Sequence, residues 1–193
     1  MPDDRSDSEL VRASLSDPNA FGAIFDRHFV VISRYAERRA GKQAAEEIAS
    51  ETFVQAFRSR ARYDLARSNA RPWLFGIATN LLSHHWRDEV ARLDAYAKLD
   101  PPQAGEDDPL EARVALLGIL DALKELDQRD RDVLLLYAWA DLSYSDISEA
   151  LSIPIGTVRS RLNRARGVLR ELVDSSAATG GIEAKEEEDG HGG

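Results

Sequence analysis

The chain has 193 residues, 43% of them hydrophobic and 31% charged, with a formal net charge of -9 at pH 7 and no cysteine. That composition fits a soluble globular protein long enough for one large domain or two small ones, and it excludes disulfides and thiolate metal sites. No run of about 18 apolar residues occurs, which excludes membrane insertion, and the acidic opening MPDDRSDSEL predicts no secretory leader and a cytoplasmic location.

Nearly every segment reads helical. Ser6-x-x-Glu9 matches a capping box for a short first helix in an N-terminal extension, residues 1–19. Asp17-Pro18 then supplies an N-cap followed by proline at the first helical position. Phe21, Ile24, Phe25, His28, Phe29 and Ile32 recur at three- and four-residue spacing, which predicts a core-facing helix ended by Gly41. Residues 44–58, AAEEIASETFVQAFR, predict another helix with Ala45, Ile48, Ala49, Thr52, Phe53 and Ala56 on its apolar side and Glu47, Glu51 and Arg58 opposite. A connection studded with Arg58, Arg60, Arg62, Arg67 and Arg71 leads to a third helix, PWLFGIATNLLSHHWRDEVAR, opened by Pro72.

Residues 93–113 break the pattern with three prolines, one glycine and a surplus of acids, and read as a flexible, self-repelling linker. Helical patterns resume at 114–126, 129–139, 143–151 and 155–173, and the acidic tail 174–193 reads as disordered. The expected fold is all-α: two small helical domains, 20–92 and 114–173, joined by a flexible acidic linker, the second a helix-turn-helix domain.

Charge is distributed in blocks. Residues 20–92 carry twelve bases and eight acids, or +4, and residues 153–171 carry five and one, again +4; every other block is acidic. Two anion-facing surfaces are therefore expected in an acid-coated chain. The second block contains TVRSRLNRARGVLR, a stretch with five arginines and no acid. Upstream of it, Ser143 and Asp146 approximate a capping box, Ile147, Ala150 and Leu151 form an apolar stripe, and Ser152-Ile153-Pro154 breaks the helix. Such a turn frees the second helix to enter a major groove. On that helix Val158, Leu162, Ala165 and Leu169 share one face; Gly156, Ser160, Asn163, Arg164 and Gly167 lie opposite, flanked by Arg159 and Arg161. Arginine pairs bidentately with guanine and asparagine with adenine, so this face suits base reading, whereas a plain charge run only solvates a domain.

The four histidines, His28, His84, His85 and His191, show no ligand spacing with carboxylates, so no metal or other cofactor is expected. No nucleophile–base pair and no phosphate loop occurs, which argues against an enzyme.

Three segments carry a resemblance. YSDISEALSIPIGTVRSRLNRARGVLR resembles region 4 of the extracytoplasmic-function (ECF) group of bacterial sigma-70 factors; EEIASETFVQAFR is similar to region 2.2, and RPWLFGIATNLL to regions 2.3 to 2.4 of the same group. They stand in the family's order and span about residues 20 to 173. The resemblance implies a non-catalytic subunit whose first domain binds core RNA polymerase and the -10 promoter element and whose second domain reads the -35 element. It places clamp coiled-coil contacts on Glu46, Glu47, Ser50 and Glu51, with further binding at the flap. Glutamine is usual at Ser50, so one clamp contact is shortened here. It places -10 contacts on Asn80, Ser83, His84 and Arg87, with Trp73 either stacking on bases or filling core. His84, His85 and Trp86 stand where a more basic stretch is usual. The -35 contacts fall on Arg159, Ser160, Asn163 and Arg164, supported by Thr157 and Arg161. Glycine is common at Ser152, so its backbone must be left-handed or the turn must differ. The linker, in the family, threads the polymerase channel; a plain tether reads equally well from the residues. Family members are commonly held by an anti-sigma protein, which makes one a candidate partner beside polymerase and promoter DNA. The rival reading is a free-standing helix-turn-helix regulator that binds an operator without polymerase.

Overall fold

The computed structural model describes residues 4–97, 123 and 125–186, and among them every regular element is helical. The linker from 98 onward, most of the 114–126 helix and the tail beyond 186 lie outside the described residues. Six α-helices are defined in chain order: α1 (Asp7–Ser14), α2 (Gly22–Ser59), α3 (Arg71–Ala97), α4 (Gln128–Trp139), α5 (Tyr144–Ala150) and α6 (Ile155–Glu186), with single 3₁₀ turns at Pro18–Phe21 and Arg60–Arg62. Of the described residues, 4–97 and 135–158 form one compact unit, and 123, 125–134 and 159–186 a second.

Local chemistry accounts for the boundaries. The Ser6 hydroxyl accepts the Glu9 N–H, and the Glu9 carboxylate accepts the Ser6 N–H at 2.7 Å, the reciprocal capping box expected for α1. The Ser6 hydroxyl also donates to this carboxylate at 2.7 Å, and that bond, then the one from the Ser6 N–H, holds the exposed Glu9 carboxyl below its ordinary range. Asp17 caps the 3₁₀ turn through the Asn19 N–H at 3.1 Å, so Pro18 opens that turn and α2 begins only at Gly22. At Gly41 the backbone leaves the helical region with φ 77° and ψ 165°, dividing α2 into two pieces where the sequence predicts a stop.

In the first unit α2 packs along α3. Ile24, Ile32 and Tyr35 from the first piece of α2, Ala49 and Phe53 from the second, and Leu74, Phe75 and Ala78 from α3 are buried. Each of the buried isoleucine, leucine and phenylalanine side chains contributes about 1.5–3 kcal/mol. Tyr35 fixes the register: its ring meets Phe75 edge-on at 5.1 Å and its hydroxyl lies 3.1 Å from Thr79 Oγ1. The expected stripe on the first piece of α2 holds at Phe21, Ile24, His28 and Ile32, but Phe25 is 39% exposed. Phe25 stacks on Phe29 at 4.6 Å and meets Phe53 edge-on at 5.0 Å, so a surface aromatic cluster, rather than the core, accounts for its place in the period.

Asp7 ties α1 to the rest of the unit. Its carboxylate pairs with Arg27, lies 2.8 Å from His28 Nε2, and accepts the Ala70 N–H at 2.8 Å. Burial alone pushes the Asp7 carboxyl up, but the hydrogen bonds from His28, Ala70 and Arg27 outweigh it and leave the group below its ordinary value.

Two helices run further than expected. α3 continues to Ala97, into the stretch assigned to the linker, and α6 continues to Glu186, where the residues predict a structureless tail. Once a helix is nucleated, each added residue gains a hydrogen bond, and Ala177, Ala178 and Ala184 tolerate extension; compositional bias against a packed core does not forbid it.

Candidate nucleic-acid interface

The turn before α6 is built as the spacing predicts. Ser143 Oγ accepts the Asp146 N–H at 3.2 Å and Asp146 Oδ2 accepts the Ser143 N–H at 3.1 Å, which closes the capping box with aspartate in place of glutamate. Ile147 is fully buried. At Ser152 the backbone is left-handed, φ 53°, in the place where glycine avoids the cost of a Cβ. Ser148 Oγ donates to the Ile153 carbonyl at 2.5 Å and the Ile153 N–H donates to the Ser148 carbonyl at 3.0 Å, which pins the reversal. The Pro154 carbonyl then accepts the Thr157 N–H at 2.8 Å, starting α6.

Along α6 the two faces separate cleanly. Val158, Leu162 and Ala165 are buried, while Arg159, Ser160, Asn163 and Arg164 are exposed and Thr157 and Arg161 are half-buried. Arg164 carries a specific partner: its Nε and Nη2 donate to the two carboxylate oxygens of Asp130, each at 2.9 Å. The hydrogen bonds donated to Asp130, and then the charge of Asp130, raise the already high Arg164 pKa further.

The residues assigned to the first positive block are less uniform. Asn80 and His84 are exposed one turn apart on α3, but Ser83 between them is buried. The Arg87 side chain lies outside the described residues. Trp73 is half-buried, its ring 4.9 Å from that of Tyr63, so it lines a surface rather than filling the core. With Arg62, Tyr63, Gly76, Asn80 and Ser152 it borders a cleft of roughly 290 Å³. Burial, and then the charges of Asp7, Glu149 and Asp64, push the Tyr63 hydroxyl pKa well up, so the cleft presents a neutral phenol.

Of the five arginines in the connection before α3, Arg58, Arg62 and Arg67 are exposed. Arg60, Arg67 and Arg71 make contacts within the chain. Arg60 stacks over Phe57 at 3.8 Å and donates to the Phe57 carbonyl, Arg67 Nη1 pairs with Glu149 at 2.9 Å, and Arg71 Nη2 donates to the Ala140 carbonyl at 3.1 Å. The last two contacts accompany the packing of α5 on α3. Burial raises the Glu149 carboxyl pKa, against the pull of Arg67.

On the second piece of α2, Glu46, Glu47 and Ser50 are exposed and Glu51 is half-buried, accepting the Gln55 side-chain amide at 3.1 Å. The opposite side, from Ala45 to Ala56, is buried as the period predicts. The acidic row therefore projects from a rigid, well-anchored segment. Among the described residues no group of three His, Asp or Glu is arranged to hold a metal ion, and no helix is long and apolar enough to cross a membrane.

Sequence reasoning missed three participants. Asp130 was not singled out from the sequence, and its pairing with Arg164 spans 34 residues. Asp7 was not singled out from the sequence, and it is 3% exposed. Gly76 carried no signal beyond being a glycine inside a helix, which is itself a reason to look for a close neighbour.

Comparison with known proteins bears on this arrangement. The Sigma-70 region 2 family matches residues 24–92 and the Sigma-70 region 4 family matches residues 116–169. The chain is 31% identical over 173 residues to the ECF RNA polymerase sigma factor SigL of Mycobacterium tuberculosis, covering 86% of this chain and 96% of that protein. It is 28% identical over 176 residues to the ECF RNA polymerase sigma factor BldN of Streptomyces coelicolor, covering 88% of this chain and 66% of that protein. Among solved structures it is similar to CnrH in complex with the cytosolic domain of CnrY, with a TM-score of 0.64 and 25% identity over 88% of this chain and 97% of that one.

Proposed function

This chain belongs to the ECF RNA polymerase sigma factors, and we propose that it binds core RNA polymerase and directs promoter-specific initiation with no catalysis of its own. Residues 20–92 form the part that engages the polymerase clamp and the -10 element, and residues 114–173 the part that reads the -35 element and meets the flap. The observation that carries the DNA-reading half is the exposed row Arg159, Ser160, Asn163 and Arg164 set opposite the buried row Val158, Leu162 and Ala165. A helix anchored on one side and lined with base-pairing groups on the other is what the major groove requires.

For the polymerase, Glu46, Glu47 and Glu51 with the shorter Ser50 supply an acidic row complementary to a basic partner helix. For the opened -10 strand, Asn80, His84, Arg87 and Trp73 supply polar and stacking groups, with Ser83 acting from beneath that surface. The surrounding acid weakens non-specific attachment to duplex, so binding depends on the polymerase. The site of action is the cytoplasm. A protein partner is expected as well, since CnrH is solved with the cytosolic domain of CnrY, and the family resemblance makes an anti-sigma protein the candidate.

The test is transcription by core polymerase from a candidate promoter with and without this chain. Initiation that requires the chain is expected. A footprint by the chain alone, unchanged by core, favours the free-standing regulator and overturns the sigma reading.

A further inference from the structure

We propose that Asp130 is a positioning residue for base recognition: it holds the Arg164 guanidinium so that the arginine reads one guanine instead of any phosphate. The inference rests on the assignment of Arg164 to the -35 element made above.

The geometry of the pair is asymmetric. Asp130 lies in the first turn of α4 and is 6% exposed, held by its own N–H to the Asp127 carbonyl at 3.0 Å. The Arg164 side chain is 63% exposed. Asp130 is thus the fixed member and Arg164 the member that is aimed. The carboxylate grips the side edge of the guanidinium, formed by Nε and Nη2, with two bonds of 2.9 Å. A guanidinium has five N–H groups in a planar fork, and this grip uses two of them. The end edge, Nη1 with the second Nη2 hydrogen, is the pair that meets the O6 and N7 of guanine in a bidentate contact. A side-on grip therefore leaves the base-reading edge intact and fixes its plane. An unheld arginine would have to order its long side chain on binding, at the expense of the contact.

Charge sharpens the argument. An acid 2.9 Å from a DNA-facing arginine lowers attraction for phosphate in general, yet costs little to a hydrogen-bonded base edge whose geometry is satisfied. Asp130 trades affinity on all sequences for discrimination among them. A carboxylate that merely fastened two helices would show no such opposition, and that difference makes the proposal testable.

The experiment uses holoenzyme reconstituted from core polymerase and the full chain, selected against a duplex library randomised in the -35 region at one fixed salt concentration. The wild type is compared with Arg164→Ala, Asp130→Asn, Asp130→Glu and the double variant Asp130→Asn/Arg164→Ala, after equal core affinity confirms folding. Arg164→Ala is expected to erase preference for guanine at one base pair by about five- to 150-fold, the range of a bidentate contact. Asp130→Asn is expected to lower preference at that same pair about threefold or more while binding to non-preferred duplexes rises. Asp130→Glu retains most of the preference, and the double variant matches Arg164→Ala. If Arg164→Ala erases the preference and Asp130→Asn leaves it intact, the positioning role is overturned and the -35 assignment stands. If Asp130→Asn weakens every duplex alike, the pair is a structural tie and the proposal fails. If Arg164→Ala weakens every duplex alike, Arg164 is a phosphate contact and the assignment beneath the proposal fails with it.

Discussion

A Cβ placed on Gly76 of α3 would stand 2.3 Å from the carbonyl oxygen of Ala150 at the end of α5. The neighbouring atom is backbone, and it cannot swing aside as a side chain end could. Glycine at 76 is thus a condition of the α3–α5 packing, together with the Arg67–Glu149 pair and the Arg71 bond to the Ala140 carbonyl. Gly76→Ala is expected to displace α5 and cost about 1–3 kcal/mol, the scale of overpacking. Hydrogen exchange at the α5 amides should accelerate in the variant; unchanged exchange would mean that α5 does not pack there in solution.

Asp7 makes a pH prediction. Its carboxyl is held below its unfolded value, so its contribution is complete above that value and is withdrawn as pH falls through the folded value. Unfolding free energy should therefore drop below about pH 4, and Asp7→Asn should flatten that acid limb. At neutral pH the substitution is expected to cost about 3 kcal/mol, since His28, Arg27 and the Ala70 N–H lose a buried charged acceptor. Denaturant titrations of both proteins at several pH values read the two effects.

Ser152 holds a left-handed backbone without being glycine. Ser152→Gly relieves a penalty of about 1–2 kcal/mol while loosening the unfolded chain, for a net gain of about 0.5–1 kcal/mol. A rise in melting temperature checks this. A fall would show that the exposed Ser152 side chain makes a contact worth more than the strain.

Glu47 and Glu51 lie one turn apart on the outer side of α2, away from the buried row that includes Ile48 and Phe53. Glu47→Lys combined with Glu51→Lys is expected to weaken core polymerase binding at least about tenfold, because close interfacial charge pairs reverse sign, while the circular dichroism melt stays close to wild type. Undiminished affinity for core would remove these residues from the interface.

Features governed by near neighbours were legible in the sequence. Both capping boxes depend on residues three apart, and Ser6 with Glu9 and Ser143 with Asp146 form as read. The row from Ala45 to Ala56 is buried because one helical period repeats over a segment packed on a single side. The break at Gly41 followed from the freedom of glycine in that region of backbone space, whereas a left-handed Ser152 was one of two alternatives that the family resemblance raised. What was hidden depends on long separations. Nothing in QRDRD distinguishes Asp130 from Asp132 as the partner of an arginine 34 residues later. Arg67 and Arg71 read only as part of an arginine-studded connection, because composition does not reveal that Glu149 and a carbonyl at 140 lie beside them. Phe25 satisfied the core period yet faces out, since periodicity assigns a side but not how far its coverage extends.

The carboxylate of Asp7 also sets a limit on modularity. The sigma-70 region 2 match begins at residue 24, seventeen positions after the residue that satisfies His28 and the Ala70 N–H. A fragment cut to the shared family limits would keep those buried donors and discard their acceptor. A fragment meant to keep the packing around His28 and Ala70 is therefore expected to need α1 as well as the family-matched residues.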